Sequence, residues 1–267
     1  GSCATPTEKA EPEPEPSIGG GFVDGEDITG EGVTVAIISD PIPPSTIDAV
    51  KVYVFAASEE AASEETASDE AASEPVAEFR VDMISPTLQF TLPIRGLEDG
   101  GRYRFRFSLL TDDEREVAVA GERTARITLG VPVPQPKQQM VETFHPTPTL
   151  ETIVSSDVSA SEARFRVYED DPDDPRAAVS QTDFREPYRF EEPLVSAEEI
   201  ESSRTLRWQA RLVSPEGVLG RWSDGATITF STDAAVPRST VPSDGSVSIV
   251  AEPGVAWRPV TGAVRYH

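Results

Sequence analysis

Hydrophobic and polar residues alternate along two runs that flank a turn within residues 206–230. The hydrophobic positions of these runs are Leu206, Trp208, Ala210, Leu212, Ala226, Ile228 and Phe230. A period of two places successive side chains on opposite faces of a strand, so one face is buried and the other is solvated. Pro215, Glu216 and Gly217 supply turn residues between the runs. The pattern predicts an antiparallel hairpin on the face of a β-sandwich.

The first half of the chain carries the same short period. Strands are predicted at residues 33–38, 50–55, 79–83, 88–92, 103–109 and 124–129. Short strands at this spacing, without a helical period, predict an antiparallel sandwich over residues 22–130. Tyr103, Phe105 and Trp208 are predicted to be core residues. Residues 57–75 contain no large hydrophobic residue, so we expect a disordered acidic insertion between two strands.

The second half of the chain repeats the first. The aligned pairs, first copy before second, are Val50 and Ala163, Val52 and Phe165, Val54 and Val167, Phe105 and Trp208, Phe107 and Ala210, Leu109 and Leu212. This repeat predicts a second sandwich over residues 140–232. Residues 131–139 are proline-rich and predict a linker. Residues 233–267 predict a further linker and the start of a third repeat.

These motifs resemble fibronectin type III domains. In the first copy the family's signature spacing is carried by Leu97, Gly100, Tyr103, Phe105 and Phe107. The resemblance implies that Tyr103 is a corner tyrosine before a central strand. In the second copy Leu206 replaces that tyrosine and no glycine matches Gly100, but residues 220–225 (GRWSDG) are similar to the Trp-Ser motif of this fold.

A partial third copy is carried by Trp257 and Tyr266, which resemble an early-strand tryptophan and the tyrosine of the next strand. The predicted fold class is therefore all-β. We expect tandem antiparallel β-sandwiches of fibronectin type III or Ig-like type, with a disordered N-terminal tether and a partial third repeat.

Residues 1–21 are predicted to form that tether. Glutamate and proline alternate over residues 11–16, which favours an extended, self-repelling chain, and three glycines follow. The sole cysteine, Cys3, stands in Gly-Ser-Cys, which is similar to the end of a bacterial lipobox. The resemblance implies a lipid on Cys3 and an exported protein anchored to a bacterial membrane, facing the periplasm or the surface. The alternative is an expression scar before an incidental cysteine.

The charge balance argues against two classes of partner. The chain has 23 basic and 47 acidic residues, a formal net charge of −24. Nucleic acids and anionic lipids both attract basic surfaces, so neither is an expected partner. Contact with a membrane is expected only through a lipid on Cys3. The acidic surface fits a saline habitat, calcium in the medium, or simple solubility.

The sequence contains no evident catalytic motif. His145 and His267 are the two histidines, so neither Ser-His nor Cys-His catalysis nor a Cys/His zinc site is expected. Phosphate-binding and dinucleotide-binding motifs are missing. We therefore expect a protein that is not an enzyme and uses no cofactor.

One acidic cluster is a weak calcium candidate. Its members are Asp170, Asp171, Asp173 and Asp174. The cluster lacks the central glycine and the twelfth-position glutamate of an EF-hand. A polar hairpin turn is the other interpretation.

Outward-pointing arginines form a candidate binding face. They are Arg164, Arg166, Arg207 and Arg211, and Trp222 is expected to stack across the last three. Arg104 and Arg106 occupy a similar stripe in the first copy. The set resembles the Arg/Trp ladder beside Trp-Ser motifs in receptor fibronectin domains. The alternative is that these arginines pair with nearby acids and cover apolar surface with their aliphatic stems.

The sequence thus predicts a non-catalytic lipoprotein of the cell envelope that binds or scaffolds a protein or glycan. Two alternatives stay open. The domains are spacers or accessory modules of a larger exported enzyme, or the chain is a subunit of an ordered surface assembly or filament, in which a neighbour's strand completes the third repeat.

Overall fold

The computed structural model describes residues 15–30, 32–57, 74–83 and 88–235, and the backbone of two short strands after them. The chain divides into two compact units, Gly1–Gly130 and Val131–His267. Each is built from β-sheets with only short helical segments. The predicted fold class, tandem β-sandwiches, is confirmed. In the part of the chain that is described, no helix is long and apolar enough to cross a bilayer.

The first unit is a sandwich of two sheets. Its strands are β1 (Ser17–Gly20), β2 (Glu26–Ile28), β3 (Thr34–Ile38), β4 (Ile47–Ala56), β5 (Ala77–Asp82), β6 (Gln89–Thr91), β7 (Arg102–Thr111), β8 (Glu116–Ala118) and β9 (Arg123–Ile127), with a 3₁₀ turn at Pro44–Thr46. One sheet has the order β1-β3-β6, and the other has the order β2-β9-β7-β4-β5 with β8 beside β7. Strand β2 is parallel to β9, whereas the other pairs are antiparallel.

The second unit repeats this order. Its elements are β10 (Gln135–Pro136), β11 (Met140–Thr143), β12 (Thr149–Leu150), β13 (Thr152–Ile153), β14 (Glu162–Tyr168), β15 (Ala177–Gln181), β16 (Tyr188–Arg189), α1 (Ala197–Glu201), β17 (Arg204–Val213) and β18 (Ala226–Phe230), followed by a 3₁₀ turn at Thr232–Ala235. The main sheet has the order β11-β18-β17-β14-β15, again with a parallel first pair. Strands β17 and β18 form the predicted antiparallel hairpin, and Gly217 adopts a positive φ of 84° in its turn.

The repeat extends to the register of the central strands. Val52 faces Phe107 across β4 and β7, and Phe165 faces Ala210 across β14 and β17. All four side chains are buried. Each pair combines one ring with one smaller side chain, but the ring sits on opposite strands in the two copies. The core space between the central strands is therefore filled by different residues at equivalent positions.

The corner tyrosine is present in the first unit. The Tyr103 hydroxyl accepts a hydrogen bond from the Glu98 backbone N–H at 2.8 Å, and burial raises the pKa of Tyr103. Gly100 adopts a φ of 83°, and Ser203 takes the matching place in the second copy with a φ of 62°. The second copy thus keeps the left-handed turn without glycine.

A helical turn replaces the corner tyrosine in the second unit. Helix α1 begins with a capping box, in which Ser196 and Glu199 each bond the other's backbone N–H, at 3.3 and 2.7 Å. These bonds satisfy N–H groups that the helix leaves free at its start. The chain therefore enters β7 in the first unit and β17 in the second from an ordered turn, by different means.

The predicted tether and linker boundaries need correction. Residues 17–20, assigned to the tether, form β1 along β3. Gly21, assigned to a flexible joint, has a φ of 83°, and a Cβ there would lie 2.1 Å from the Thr34 carbonyl oxygen. Close approach of the two segments therefore requires this glycine. Likewise, part of the predicted linker forms β10 along β13, and Val131 packs on the second core.

Some predictions fall on residues outside those described. These include Cys3 with the Glu-Pro repeat, and most of the acidic insertion at residues 57–75. The strands on either side of that insertion, β4 and β5, are antiparallel neighbours, as predicted for a strand-to-strand connection.

A further antiparallel strand pair lies after β18 within the second unit. Strands β19 (Arg238–Val241) and β20 (Ala256–Arg258) are antiparallel, with a register shift after the second residue pair. The β1–β3 pair has its shift at the same place. This is the pairing expected at the start of a third repeat.

Replacing Tyr103 with phenylalanine is expected to lower the free energy of unfolding of the first unit by about 1–2 kcal/mol, because the Glu98 N–H loses its partner. Urea-dependent hydrogen exchange of β7 amides measures this loss. The matched control is Tyr53→Phe, since the Tyr53 hydroxyl bonds Glu116 on the exposed face and contributes less. Equal losses in both variants would contradict the assignment.

Candidate functional site

The candidate site lies on the outer face of the main sheet in the second unit. Alternate residues of β14 and β17 are buried in the core, so the residues between them project outward. Arg164 lies directly opposite Arg211 in the register, and Arg166 lies opposite Gln209. Like charges in directly opposed positions repel. The strand pairing therefore concentrates positive charge on this face.

Two of these arginines stack on Trp222. The guanidinium carbons of Arg166 and Arg211 lie 4.2 and 4.3 Å from the ring centroid. Both guanidinium groups therefore lie within cation-π range of the same indole ring. Each such contact contributes about 0.5–1 kcal/mol at a partly exposed site. We call Arg166, Trp222 and Arg211 the Arg–Trp stack.

The segment that carries Trp222 is fixed along β17. The Gly220 N–H donates to the Leu212 carbonyl at 2.8 Å, and the Ser223 N–H donates to the Ala210 carbonyl at 2.7 Å. The buried Ser223 hydroxyl accepts from the Ala210 N–H at 3.0 Å. A Cβ at Gly220 would lie 2.8 Å from Val131 and 3.0 Å from the Leu212 carbonyl oxygen, so only glycine fits there. The Trp-Ser motif thus extends the sheet and aims its ring at the arginines.

Gln209 joins the stack to this segment. Its Oε1 accepts from Arg166 Nε at 2.9 Å, and its Nε2 donates to the Ser223 carbonyl at 2.8 Å. Arg166 also donates to the Pro172 carbonyl at 3.0 Å and lies 3.4 Å from an Asp173 carboxylate oxygen. The Arg166 guanidinium is therefore held from several sides. The stack is a rigid part of the surface.

A groove of about 410 Å³ runs beside the stack. It is lined by Arg164, Phe165, Arg166, Pro172, Asp173, Pro175, Ala178, Val179, Ser180, Arg211 and Trp222. Ala178 and Ser180 of β15 lie opposite Arg166 and Arg164 in the register. Because these two side chains are small, the space above β15 stays open.

The acidic hairpin between β14 and β15 closes one end of the groove. The Asp171 carboxylate accepts from the Asp173 backbone N–H at 2.8 Å, and the Asp174 N–H donates to the Asp171 carbonyl at 3.3 Å. Asp173 pairs with Arg166. Among the residues whose placement is described, no group of three or more His, Cys, Asp or Glu side chains is arranged to hold a metal ion. This holds for Asp170 and the other three aspartates of the hairpin as well. The hairpin-turn interpretation accounts for these contacts without calcium.

The structure assembles the predicted binding face in part. Arg164 lines the groove and pairs with Glu162 at 2.6 Å. Arg207, which was predicted to stack on Trp222, lies on the same face but opposite Tyr168, beyond the groove lining. Among the described residues, the arginines on the Trp222 ring are Arg166 and Arg211. The sequence analysis missed Gln209, whose outward position between two predicted arginines was a usable signal. It also missed the small residues of β15, whose effect depends on register.

The arginines of the first unit are arranged differently. The guanidinium carbons of Arg104 and Arg106 lie 5.2 and 5.1 Å from the ring centroid of Phe55. Glu122 pairs with both arginines, at 3.3 and 2.6 Å. The alternative interpretation, pairing with nearby acids, therefore describes this face. Phe55 was missed, although an aromatic residue at an outward strand position was a signal for it.

A second paired cluster lies on the same face of the first unit. Glu116 accepts hydrogen bonds from the Tyr53 hydroxyl at 2.7 Å and from Lys51 at 3.0 Å. Burial alone would raise the pKa of Glu116, but these hydrogen bonds outweigh it and lower that pKa. The bond to Glu116 raises the pKa of Lys51. These contacts neutralise charge within the face.

No protein-family model and no curated protein matches this chain. Its structure is similar to the FN1–FN3 domains of chicken CNTN1, with 12% identity, a TM-score of 0.34, and coverage of 84% of this chain and 70% of that one. It is also similar to SGBP-B of the Bacteroides ovatus mixed-linkage glucan utilization locus, solved with a mixed-linkage heptasaccharide, with 12% identity, a TM-score of 0.26, and coverage of 81% and 48%.

A bacterial ice-binding adhesin is similar at 7% identity, a TM-score of 0.25, and coverage of 83% of this chain and 66% of that one. Likenesses at these values carry no argument about the site. The strand order and register of the two units define the fold described above.

Replacing Trp222 with alanine is expected to lower the free energy of opening of residues 220–225 by about 1–2 kcal/mol, because two cation-π contacts are lost. Hydrogen exchange of the Gly220 and Ser223 amides measures this opening. Arg207→Ala is the control. Among the described residues, the arginines that stack on the Trp222 ring are Arg166 and Arg211, and Arg207 is not one of them. Unchanged protection in the Trp222 variant would show that the stack does not hold the segment.

Proposed function

We propose that this protein is a non-catalytic binding module of the cell envelope, anchored through a lipid on Cys3. In this proposal, the outer face of the second sandwich contacts a protein or glycan partner. The observation that carries it is the groove beside the Arg–Trp stack. There, three arginines surround an open space on a surface held rigid by hydrogen bonds.

The contrast between the two units supports this choice of face. In the first unit, Glu122 bridges both stripe arginines, and Glu116 joins Lys51 to Tyr53. In the second unit, the arginines are ordered by a tryptophan and a glutamine and border a groove. Ordered side chains beside an open groove reduce the entropy that binding would cost.

The anchoring part of the proposal rests on Cys3 and the Glu-Pro repeat. Thirteen residues, 4–16, lie between Cys3 and Ser17, the first residue of β1. A chain of that length spans at most about 50 Å. A lipid on Cys3 would thus hold the first sandwich close to the membrane and still allow it to reorient.

A spacer role in a larger exported enzyme is the second candidate. Three copies of the same antiparallel strand pair, β1–β3, β10–β13 and β19–β20, follow one another along the chain. Serial repeats of one module serve to set a distance. That role requires no binding at the groove, so the two candidates differ in a measurable way.

Anchoring is tested by intact-mass measurement on protein purified from the membrane fraction of its own bacterium. A diacyl or triacyl adduct that maps to Cys3 is expected. The control is Cys3→Ser, which should leave the membrane fraction and carry no adduct. An unmodified wild-type chain in the soluble fraction would refute the anchor.

Binding is tested by sedimenting the purified chain with isolated cell envelopes. Arg164→Glu is expected to weaken binding by about fivefold or more, because it reverses a charge in the groove. Arg189→Glu is the control, since it makes the same charge change at an exposed position on β16. Equal binding by wild type and both variants would favour the spacer role.

A further inference from the structure

Among the strands that the structure describes, β15 is an edge strand of the five-stranded sheet in the second unit. Its five residues, AAVSQ, carry no charge. An edge strand exposes backbone N–H and C=O groups, and natural proteins usually guard such edges with charged side chains, bulges or proline. The matching edge in the first unit, β5, is guarded in this way, because Glu78, Arg80 and Asp82 are exposed along it.

The register makes this comparison residue by residue. Arg80 lies opposite Lys51 in the first unit, and Ser180 lies opposite Arg164 in the second. In the same way, Glu78 lies opposite Tyr53, and Ala178 lies opposite Arg166. Long charged side chains in the first copy are thus replaced by a hydroxymethyl and a methyl group. The replacement leaves the edge unguarded and opens the groove above it.

Both ends of β15 are tied down. Arg176, just before the strand, donates two hydrogen bonds to Glu199, at 2.8 and 2.9 Å, and these bonds lower the pKa of Glu199 to about 2. At the other end, the side-chain amide of Gln181 donates to the carbonyls of Asp183 and Glu186. A partner strand would therefore meet an edge that is already ordered, which lowers the cost of docking.

The charge beside this edge differs from that of the whole chain. Four arginines project from the outer face of β14 and β17, namely Arg164, Arg166, Arg207 and Arg211. Glu162 pairs with Arg164, and Asp173 pairs with Arg166. On the outer face of these two strands, arginines thus outnumber acidic side chains, within a chain of net charge −24.

We propose that β15 is the docking edge for an extended acidic segment of a partner protein. This rests on the proposed binding function and specifies its partner. The segment adds to the sheet as a further strand through backbone hydrogen bonds, a known mode of peptide recognition. Its outward carboxylates reach across Ser180 and Ala178 to the arginines of β14, because neighbouring strands are only about 4.8 Å apart.

A second copy of this chain fits the edge less well. Its own β15 would bring no carboxylate to the arginines, since that strand is uncharged. It would also bring a second chain of net charge −24. Charge complementarity therefore favours an acidic segment from a different protein.

The test uses a fluorescein-labelled nonapeptide of alternating glutamate and valine, titrated with the full chain and followed by anisotropy. The matched probe has lysine in place of each glutamate. We expect the glutamate peptide to bind, the lysine peptide to bind at least about tenfold more weakly, and added salt to weaken binding.

Ser180→Arg and Ala178→Glu restore the residues that guard the first copy's edge. Both are expected to weaken binding of the glutamate peptide by about tenfold or more. Ser180→Arg is the decisive variant, because its added positive charge would strengthen binding by simple attraction. Ser159→Arg, at an exposed position away from the groove, is the control and should bind like wild type. Circular dichroism checks that each variant is folded.

Several outcomes would overturn the inference. Equal binding of both peptides, or stronger binding by Ser180→Arg, would show that no strand is added. Binding of an oligogalacturonate instead of the peptide would identify an acidic glycan as the ligand. A dimer in light scattering that Ser180→Arg abolishes would place a second copy on β15. If the envelope-binding assay succeeds while the peptide fails, only this inference is wrong. If envelope binding also fails, the proposed function is wrong.

Discussion

The antiparallel register of the two central strands in each unit determines both the core and the surface. In the second unit, pairing of β14 with β17 buries Phe165 and Trp208 and turns Arg166 and Arg211 outward. A slip of one residue in either strand would exchange its two faces. The Arg–Trp stack, the groove and the hydrophobic core are therefore consequences of one alignment.

The two copies show how loosely that alignment constrains individual residues. Phe107 of the first copy corresponds to Ala210, and Val52 corresponds to Phe165, so the ring has changed strands. Cores tolerate such changes when the total volume is kept. The outer faces have diverged further, because solvent imposes no volume constraint there. One face has become internally paired and the other borders a groove.

Much of this architecture follows from the sequence, because alternation and repeat spacing depend on local burial. Strands β1 and β10 were missed because SIGG and QP show no alternation and contain glycine or proline. They form because a neighbouring strand supplies their hydrogen-bond partners, which is a tertiary effect.

The sequence predicted the residue types of the candidate site but not their full spatial arrangement. Trp222 and the arginines stood out as residue types, and Trp222 was predicted to stack on Arg166, Arg207 and Arg211. The Trp-Ser segment runs beside residues 209–212, so Arg211 and the neighbouring Arg166 reach the ring while Arg207 lies too far along β17. The groove required the register of β15, which pairs two small residues with two arginines.

The parallel pairing of the first and last strands of the main sheets has a mechanical consequence. Strand β2 runs parallel to β9, and β11 runs parallel to β18. A pull along the chain draws the earlier strand backward and the later strand forward, so the hydrogen bonds between them are loaded in shear. Bonds loaded in shear share the force and break together, whereas bonds that are unzipped break one at a time. Forced unfolding is governed by the unfolding rate, so each sandwich is built to resist extension along the chain.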